Sequence, residues 1–341
     1  MKIKYRLIIA LFCLLMLPVT DIIAQSGGFT GSFSRIGFAP RGMAMGNAMT
    51  AVDQEGSYGY YNPALAAKQN ENIQIDLSST AMKFDRQLHM VHAQIQLPPS
   101  AAISFSLLNA RVGGIDGRTQ SGFSTETLST NEFQLISNFG IRFMDDIWGG
   151  IGIKYNVTNY HSEVPKSTGI GLDAGVRAKI TPKWTIAATV QDLFASNQFE
   201  TTDLYGPATT STGNDSFPVR LKTGTSYEPV KNLLLSFDYE VQLLEFQQNS
   251  TIILNENRSR DTVQESTQIV RMGGRYNLHE RITIRGGLQV LDLKNDTILQ
   301  PGAGFSLHLP FDRFTPAIDY AFMREPSGIS TMHVFSMRLN L

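Results

Sequence analysis

The stretch Thr168-Gly169-Ile170-Gly171-Leu172-Asp173-Ala174-Gly175-Val176-Arg177-Ala178-Lys179-Ile180 decides the fold. Leu172, Ala174, Val176 and Ala178 alternate with Asp173, Gly175, Arg177 and Lys179, which gives an extended segment one apolar face and one charged or small face. Successive side chains point to opposite faces of a strand, whereas a helix would scatter these residues around its circumference. The Gly169-Ile170-Gly171 run with Gly175 has a faint look of a dinucleotide-binding loop. Such a loop joins a strand to a helix, and these glycines lie inside the alternation, so they read as strand glycines.

The same two-residue period recurs along most of the chain. Ile73, Ile75 and Leu77 alternate with Gln74, Asp76 and Ser78, and Val91, Ala93, Ile95 and Leu97 with His92, Gln94 and Gln96. Ile151, Ile153, Tyr155 and Val157 alternate with Gly152, Lys154 and Asn156, and the chain ends with Phe335, Met337, Leu339 and Leu341 against Ser336, Arg338 and Asn340. The pattern predicts fourteen strands near 71–84, 87–97, 101–110, 132–143, 148–160, 168–180, 184–193, 217–227, 232–243, 268–278, 282–291, 298–309, 314–323 and 331–341.

Most of these reach the nine to eleven residues that a tilted strand needs to cross hydrocarbon, about twice the usual globular strand. An even count and alternately short and long connections fit an all-β, transmembrane outer-membrane barrel of about fourteen antiparallel strands. Long polar loops are expected at 111–131, 195–216 and 244–267, and short turns at 144–146, 181–183 and 279–280. Trp148, Tyr160, Trp184, Phe194, Tyr227, Phe311 and Phe314 fall near strand ends, where interfacial aromatic girdles lie. A soluble β-sandwich alternates too, but strand length, the leader described next and a charged fraction of only 17% favour the barrel.

Residues 1–24 have the parts of a secretory signal peptide: Lys2, Lys4 and Arg6, then an apolar stretch from Leu7 to Leu17, then Pro18 and Ala24 before Gln25. Phe12 before Cys13 argues against a lipoprotein site. Cys13 is the one cysteine, so the processed chain would have no disulfide, thiolate nucleophile or cysteine metal site. A formal charge of −1 gives no basic excess for nucleic acid. No nucleophile elbow, zinc motif or phosphate loop is present, and His89 and His92, three apart on a strand, point to opposite faces. The expectation is a non-enzyme with no catalytic residue, metal or cofactor.

Residues 25–70 do not read as barrel strands. Arg41-Gly42-Met43-Ala44-Met45-Gly46-Asn47-Ala48 is punctuated by glycine, and Tyr60-Tyr61-Asn62-Pro63-Ala64-Leu65 reads as a turn into a short helix. This block resembles the N-terminal signature of the PorV/PorQ group within the FadL-like outer-membrane superfamily. Gln191-Asp192-Leu193 and the closing His333-Val334-Phe335-Ser336-Met337-Arg338-Leu339 resemble it too, although Leu341 stands where an aromatic is usual.

The resemblance implies a barrel over 71–341 with residues 25–70 folded into its lumen as a hatch, in the cell outer membrane and surrounded by its lipids. It implies transport of small hydrophobic, fatty-acid-like molecules, or alternatively a type IX secretion component that binds the C-terminal signal domain of secreted cargo. A purely structural barrel is the third reading. Gly42, Gly46, Asn62 and Pro63 form the hatch motif, and the glycines would let the backbone pass the wall where a Cβ would clash.

Phe29, Phe33, Ile36, Phe38, Met43, Met45 and Met49 make the hatch more apolar than a polar plug requires, with Phe33, Arg41, Met43, Met45 and Met49 the candidate ligand contacts. These side chains suit a pocket for varied alkyl chains or packing of the hatch against itself. Arg142, Lys154, Arg220, Arg271, Arg275, Arg285 and Asp319 are placed in a lumenal charge network, with Arg177, Lys179, Lys222 and Arg338 on the same parity. That network would bond hatch to wall, or would attract carboxylates.

Overall fold

The computed structural model describes residues 30–56, 58–67, 73–160, 165–200, 212–251, 258–293, 298–309, 316–326, 328 and 330–341. The leader, Phe29, Phe311 and Phe314 lie outside the described residues.

Fourteen strands form a closed barrel. They are β1 (Ile73–Ala81), β2 (Arg86–Leu97), β3 (Ala101–Arg118), β4 (Ser124–Met144), β5 (Ile147–Asn159), β6 (Ser167–Thr181), β7 (Trp184–Leu193), β10 (Val219–Val230), β11 (Leu233–Thr251), β12 (Arg258–His279), β13 (Ile282–Leu291), β14 (Ile298–His308), β15 (Ala317–Arg324) and β16 (Thr331–Asn340). Each pairs antiparallel with its neighbours, β7 directly with β10, while β8 (Ser196–Glu200) and β9 (Thr212–Ser216) form a separate hairpin. β1 closes on β16, and Leu341 and Ile73 exchange backbone hydrogen bonds of 2.9 and 3.2 Å at the seam. Among the described residues no helix is long and apolar enough to cross a membrane.

The alternation is inverted relative to a soluble protein. Ile151 and Ile153 are 62% and 55% exposed, whereas Lys154 beside them is 3% exposed. Ile73, Leu77, Val91, Phe105, Ile170, Val176, Phe237, Ile284, Phe305 and Phe335 carry the exposed apolar face around the circumference. Asp76, Asn138, Asp173, Arg220, Glu240 and Asp319 are buried inside. Closure leaves no strand edge unpaired, the condition for a sheet that lipid surrounds.

The expected long connections differ from the reading above. Segment 111–131 is largely β3 and β4 continuing past the apolar zone to a tight turn at 119–123, and residues 244–251 and 258–267 belong to β11 and β12. Segment 195–216 contains the β8–β9 hairpin. Ser124 to Thr127 are exposed on both faces, so their backbone ladder continues where hydrophobic alternation has stopped. Trp148 is also a correction: it is 6% exposed, faces the lumen, and stacks beneath the Arg177 guanidinium at 4.5 Å instead of joining the outer girdle. Trp184, Tyr160, Phe194 and Tyr227 are exposed near strand ends.

Residues 30–67 pack against the inward face of the wall. They form a 3₁₀ turn (Ser32–Arg35), a short helix (Pro40–Ala44), a second (Tyr58–Tyr61) and another 3₁₀ turn (Pro63–Ala67). Pro40 starts its helix where a missing N–H costs nothing, and Asn62 Oδ1 accepts from the Ala64 N–H at 3.0 Å to start the last turn. Wall glycines make room for this backbone. A Cβ on Gly287 would lie 2.2 Å from the Met45 carbonyl carbon, and one on Gly150 would lie 2.4 Å from that of Pro63. Gly273 and Gly302 similarly face Met45 and Met43, and Gly175 faces Asn62.

Candidate functional site

Two polar systems occupy the lumen. The first is a belt on the wall. Lys154 Nζ lies 2.9 Å from Asp173 and 2.7 Å from Asp192, and Arg220 lies 3.5 Å from Asp192 and 2.9 Å from Glu240. Arg271 contacts Glu240 at 2.6 Å and donates to Gln289 at 2.9 Å, and Gln289 donates to Gln300 at 3.0 Å. The belt thus links β5, β6 and β7 through β10, β11 and β12 to β13 and β14. Paired in this way, the buried charges avoid the large cost of an isolated ion.

The second system ties residues 30–67 to the wall. Arg41 donates from Nε to Asp319 at 2.9 Å, and Asp53 pairs with Arg177. Thr50 donates its N–H and hydroxyl to Asp238 at 2.9 and 2.7 Å. Asn62 donates to the carbonyls of Thr50 at 3.1 Å and Val176 at 3.3 Å. Glu55 is the densest node: its carboxylate meets Arg275 at 3.0 Å and Arg285 at 2.6 Å, and its carbonyl accepts from Arg338 and, at 3.4 Å, from Arg41. Burial alone would raise the Glu55 carboxyl, but Arg285, Arg275 and Arg41 outweigh it and hold the group below its ordinary pKa.

Arg142 stands apart from both systems. It is exposed at the end of β4, where the pairing with β5 shifts register at the turn, and its backbone N–H bonds Ser100. Lys179 is likewise exposed near the end of β6. Inward parity buries a charge only along the part of the strand that residues 30–67 cover.

An apolar cluster fills the space between these polar systems. Phe33, Phe38, Met45, Met49, Val52, Tyr60 and Tyr61 pack against Leu88, Met90, Leu108, Ile136 and Leu234, all buried. Met43 joins Met323, Met332 and Val334 in a second cluster. Phe33 and Phe38 meet edge to face at 6.4 Å, and Phe38 meets Tyr60 at 6.0 Å. The wall members were not singled out from sequence, although a signal existed. Val91 follows closely on Leu88 and Met90, Leu107 precedes Leu108 and Leu135 precedes Ile136, so both strand faces are apolar there.

Gly46 has φ +60°, and a Cβ on it would lie 2.7 Å from the Leu288 backbone, a close approach to the wall. Gly42 serves a different contact: a Cβ there would overlap the Tyr61 hydroxyl within the segment itself. A cavity of about 670 Å³ opens at the end of the short turns, lined by Glu55, Arg41, Arg275, Arg285, His279 and His308 among others. No group of three or more histidine, cysteine or acidic side chains able to hold a metal occurs among the described residues.

Neither a protein-family model nor a curated protein sequence matches the chain. Solved structures do resemble it. A Pseudomonas aeruginosa FadL homologue aligns with a TM-score of 0.62 at 11% identity, covering 89% of this chain and 98% of that one. The Pseudomonas putida toluene transporter TodX aligns at 0.59 and 12%, covering 89% and 97%. The CymD monoaromatic hydrocarbon channel aligns at 0.59 and 13%, covering 92% and 97%. The likeness is one of fold: a closed barrel of fourteen antiparallel strands.

Proposed function

We propose that this barrel is an outer-membrane conduit for small hydrophobic molecules and not an enzyme. In this reading a leader over residues 1–24 is cleaved, residues 25–70 form a hatch that closes the lumen, and residues 71–341 span the outer membrane. The observation that carries the proposal is the apolar patch on the inner face of β2, β3 and β4, beside a wall rich in buried polar and charged side chains. Leu88, Met90, Leu108 and Ile136 point inward and meet Phe33, Phe38, Met45 and Met49. A polar plug in a polar barrel needs no such patch; a route for an apolar molecule does. The likeness of fold to a monoaromatic hydrocarbon channel and a toluene transporter supports the same class of cargo.

Within this reading Phe33, Met43, Met45 and Met49 are the contacts that exchange hatch packing for a ligand. Arg41, with its partner Asp319, meets any carboxylate head. The Arg41–Ala48 and Tyr60–Leu65 blocks support a place in the PorV/PorQ group. The fatty-acid-like cargo and the secretion role are separated by one experiment: native mass spectrometry of gently purified protein. Co-purified apolar molecules, lost in F33S and M45S, support transport. Recovery of a bound exported protein and no small molecule would replace it with the secretion role.

A further inference from the structure

We propose that the outer wall carries a site for an anionic lipid at the rim opposite Leu341, held by Lys83 and Arg324. This goes beyond the conduit reading and does not depend on what passes through the lumen. The register places rows of outward side chains one above another across β14, β15, β16 and β1. The lowest of these rows is Leu307, Ile318, Met337 and Leu77, and the next is Phe305, Tyr320, Phe335 and Ser79. Above them come Ala303, Phe322, His333 and Ala81, and then Arg324 paired with Thr331, with Pro301 one step beyond the Gly302–Met323 pair.

The wall therefore passes from aliphatic, through aromatic, to cationic and hydroxyl-bearing within four rows. That is the polarity profile of a phosphorylated lipid from acyl chain to headgroup. A groove of about 350 Å³ lies at the top of this gradient, lined by Lys83, Arg324, Ser330, Thr331, Phe322 and Pro301. The small Ala303 and Ala81 flank Phe322 and His333 and leave relief for a chain.

Among the described residues, two carboxylates beside the groove are directed away from the two cations. Glu325 is buried and paired with Arg86 at 2.8 Å, and the Asp85 carboxylate turns toward Gly114 of β3. The Arg324 guanidinium donates to the Gly328 carbonyl at 3.3 Å, which fixes its position without neutralising it. A basic side chain at a membrane surface attracts anionic lipid, and the pair offers a phosphate two donors over an aromatic floor.

Native mass spectrometry of the full chain in detergent with added phosphatidylglycerol or phosphatidylcholine tests the site. Phosphatidylglycerol adducts should exceed phosphatidylcholine adducts and fall about fivefold for each of K83Q and R324Q. Both variants should keep heat-modifiable gel migration, because the residues are exposed. K183Q, which changes an exposed lysine on a turn at the other rim, should change nothing. Inorganic phosphate at equal concentration should not compete, because it lacks acyl chains. Equal retention of the two lipids, undiminished retention in K83Q/R324Q, or displacement by inorganic phosphate would each overturn the proposal.

Discussion

The backbone at Gly46 runs against the backbone of Leu288 on β13 so closely that a Cβ on Gly46 would lie 2.7 Å from the Leu288 carbonyl carbon and oxygen. With φ at +60°, Gly46 also holds a conformation that costs other residues about 1–2 kcal/mol. The two penalties fall where the backbone of Met45 and Gly46 packs against β12 and β13. G46V should therefore cost about 2 kcal/mol or more, or displace residues 30–67 from the wall. Limited trypsinolysis of the folded barrel should then cut at Arg35 or Arg41 faster than in the parent.

Glu55 sets the second expectation. Removing one partner of a buried ion pair costs about 3–5 kcal/mol, because the charges left behind are uncompensated. E55Q leaves Arg275 and Arg285 without their carboxylate, so the segment should loosen at the short-turn end. Planar-bilayer conductance should rise above the parent's and approach that of a barrel lacking residues 26–66. A deletion variant that is folded yet conducts no more than the parent would refute the hatch.

Acid should act through the same group. The folded Glu55 carboxyl sits below its ordinary pKa, near 4.3 in a free chain. Its contribution is thus complete above that value and is lost as pH falls through the lower folded value. Conductance should stay low from neutral pH down to the ordinary carboxylate range and rise only as pH falls below it, through the lowered folded value. In E55Q this step should be absent.

Arg41 of the short helix and Asp319 of β15 are joined at 2.9 Å, both nearly inaccessible to solvent. R41M and D319N should each destabilise the segment strongly, and the double variant should cost less than the sum of the two. Urea unfolding of the four proteins measures the coupling, expected at about 1–3 kcal/mol.

Much of this architecture is legible in the sequence where lipid imposes a period. The alternation at Leu172–Ala178 and Ile151–Val157 assigns the outward and inward faces that the structure has. The same parity assigned Trp148 inward, with Lys154, but its aromatic character drew it to the girdle. The extensions of β3, β4, β11 and β12 were hidden because polar residues on both faces leave hydrogen bonding without a hydrophobic period. Serine and threonine between Ser124 and Thr130 were the remaining sign of strand.

The lumen was harder to read. Parity places a charge inside but says nothing about its level along the strand, which is why Arg142 is exposed and Lys154 buried. Asp53 and Glu55 gave no signal at all. Their partners Arg177, Arg275 and Arg285 lie more than a hundred residues away, and only closure of the barrel brings them together. The wall glycines, scattered in sequence, acquire a common purpose only once Met43, Met45 and Pro63 are seen against them.

The most direct test of the conduit is uptake by cells whose outer leaflet is lipopolysaccharide, a barrier to apolar molecules. Cells making the protein should accumulate radiolabelled toluene or a labelled long-chain fatty acid faster than cells without it. E55Q should accelerate uptake further, and L108R/I136R, with charges on the inner apolar patch, should abolish the gain. Uptake of both compounds at the rate of cells lacking the protein, with the barrel folded in the outer membrane, would contradict the account.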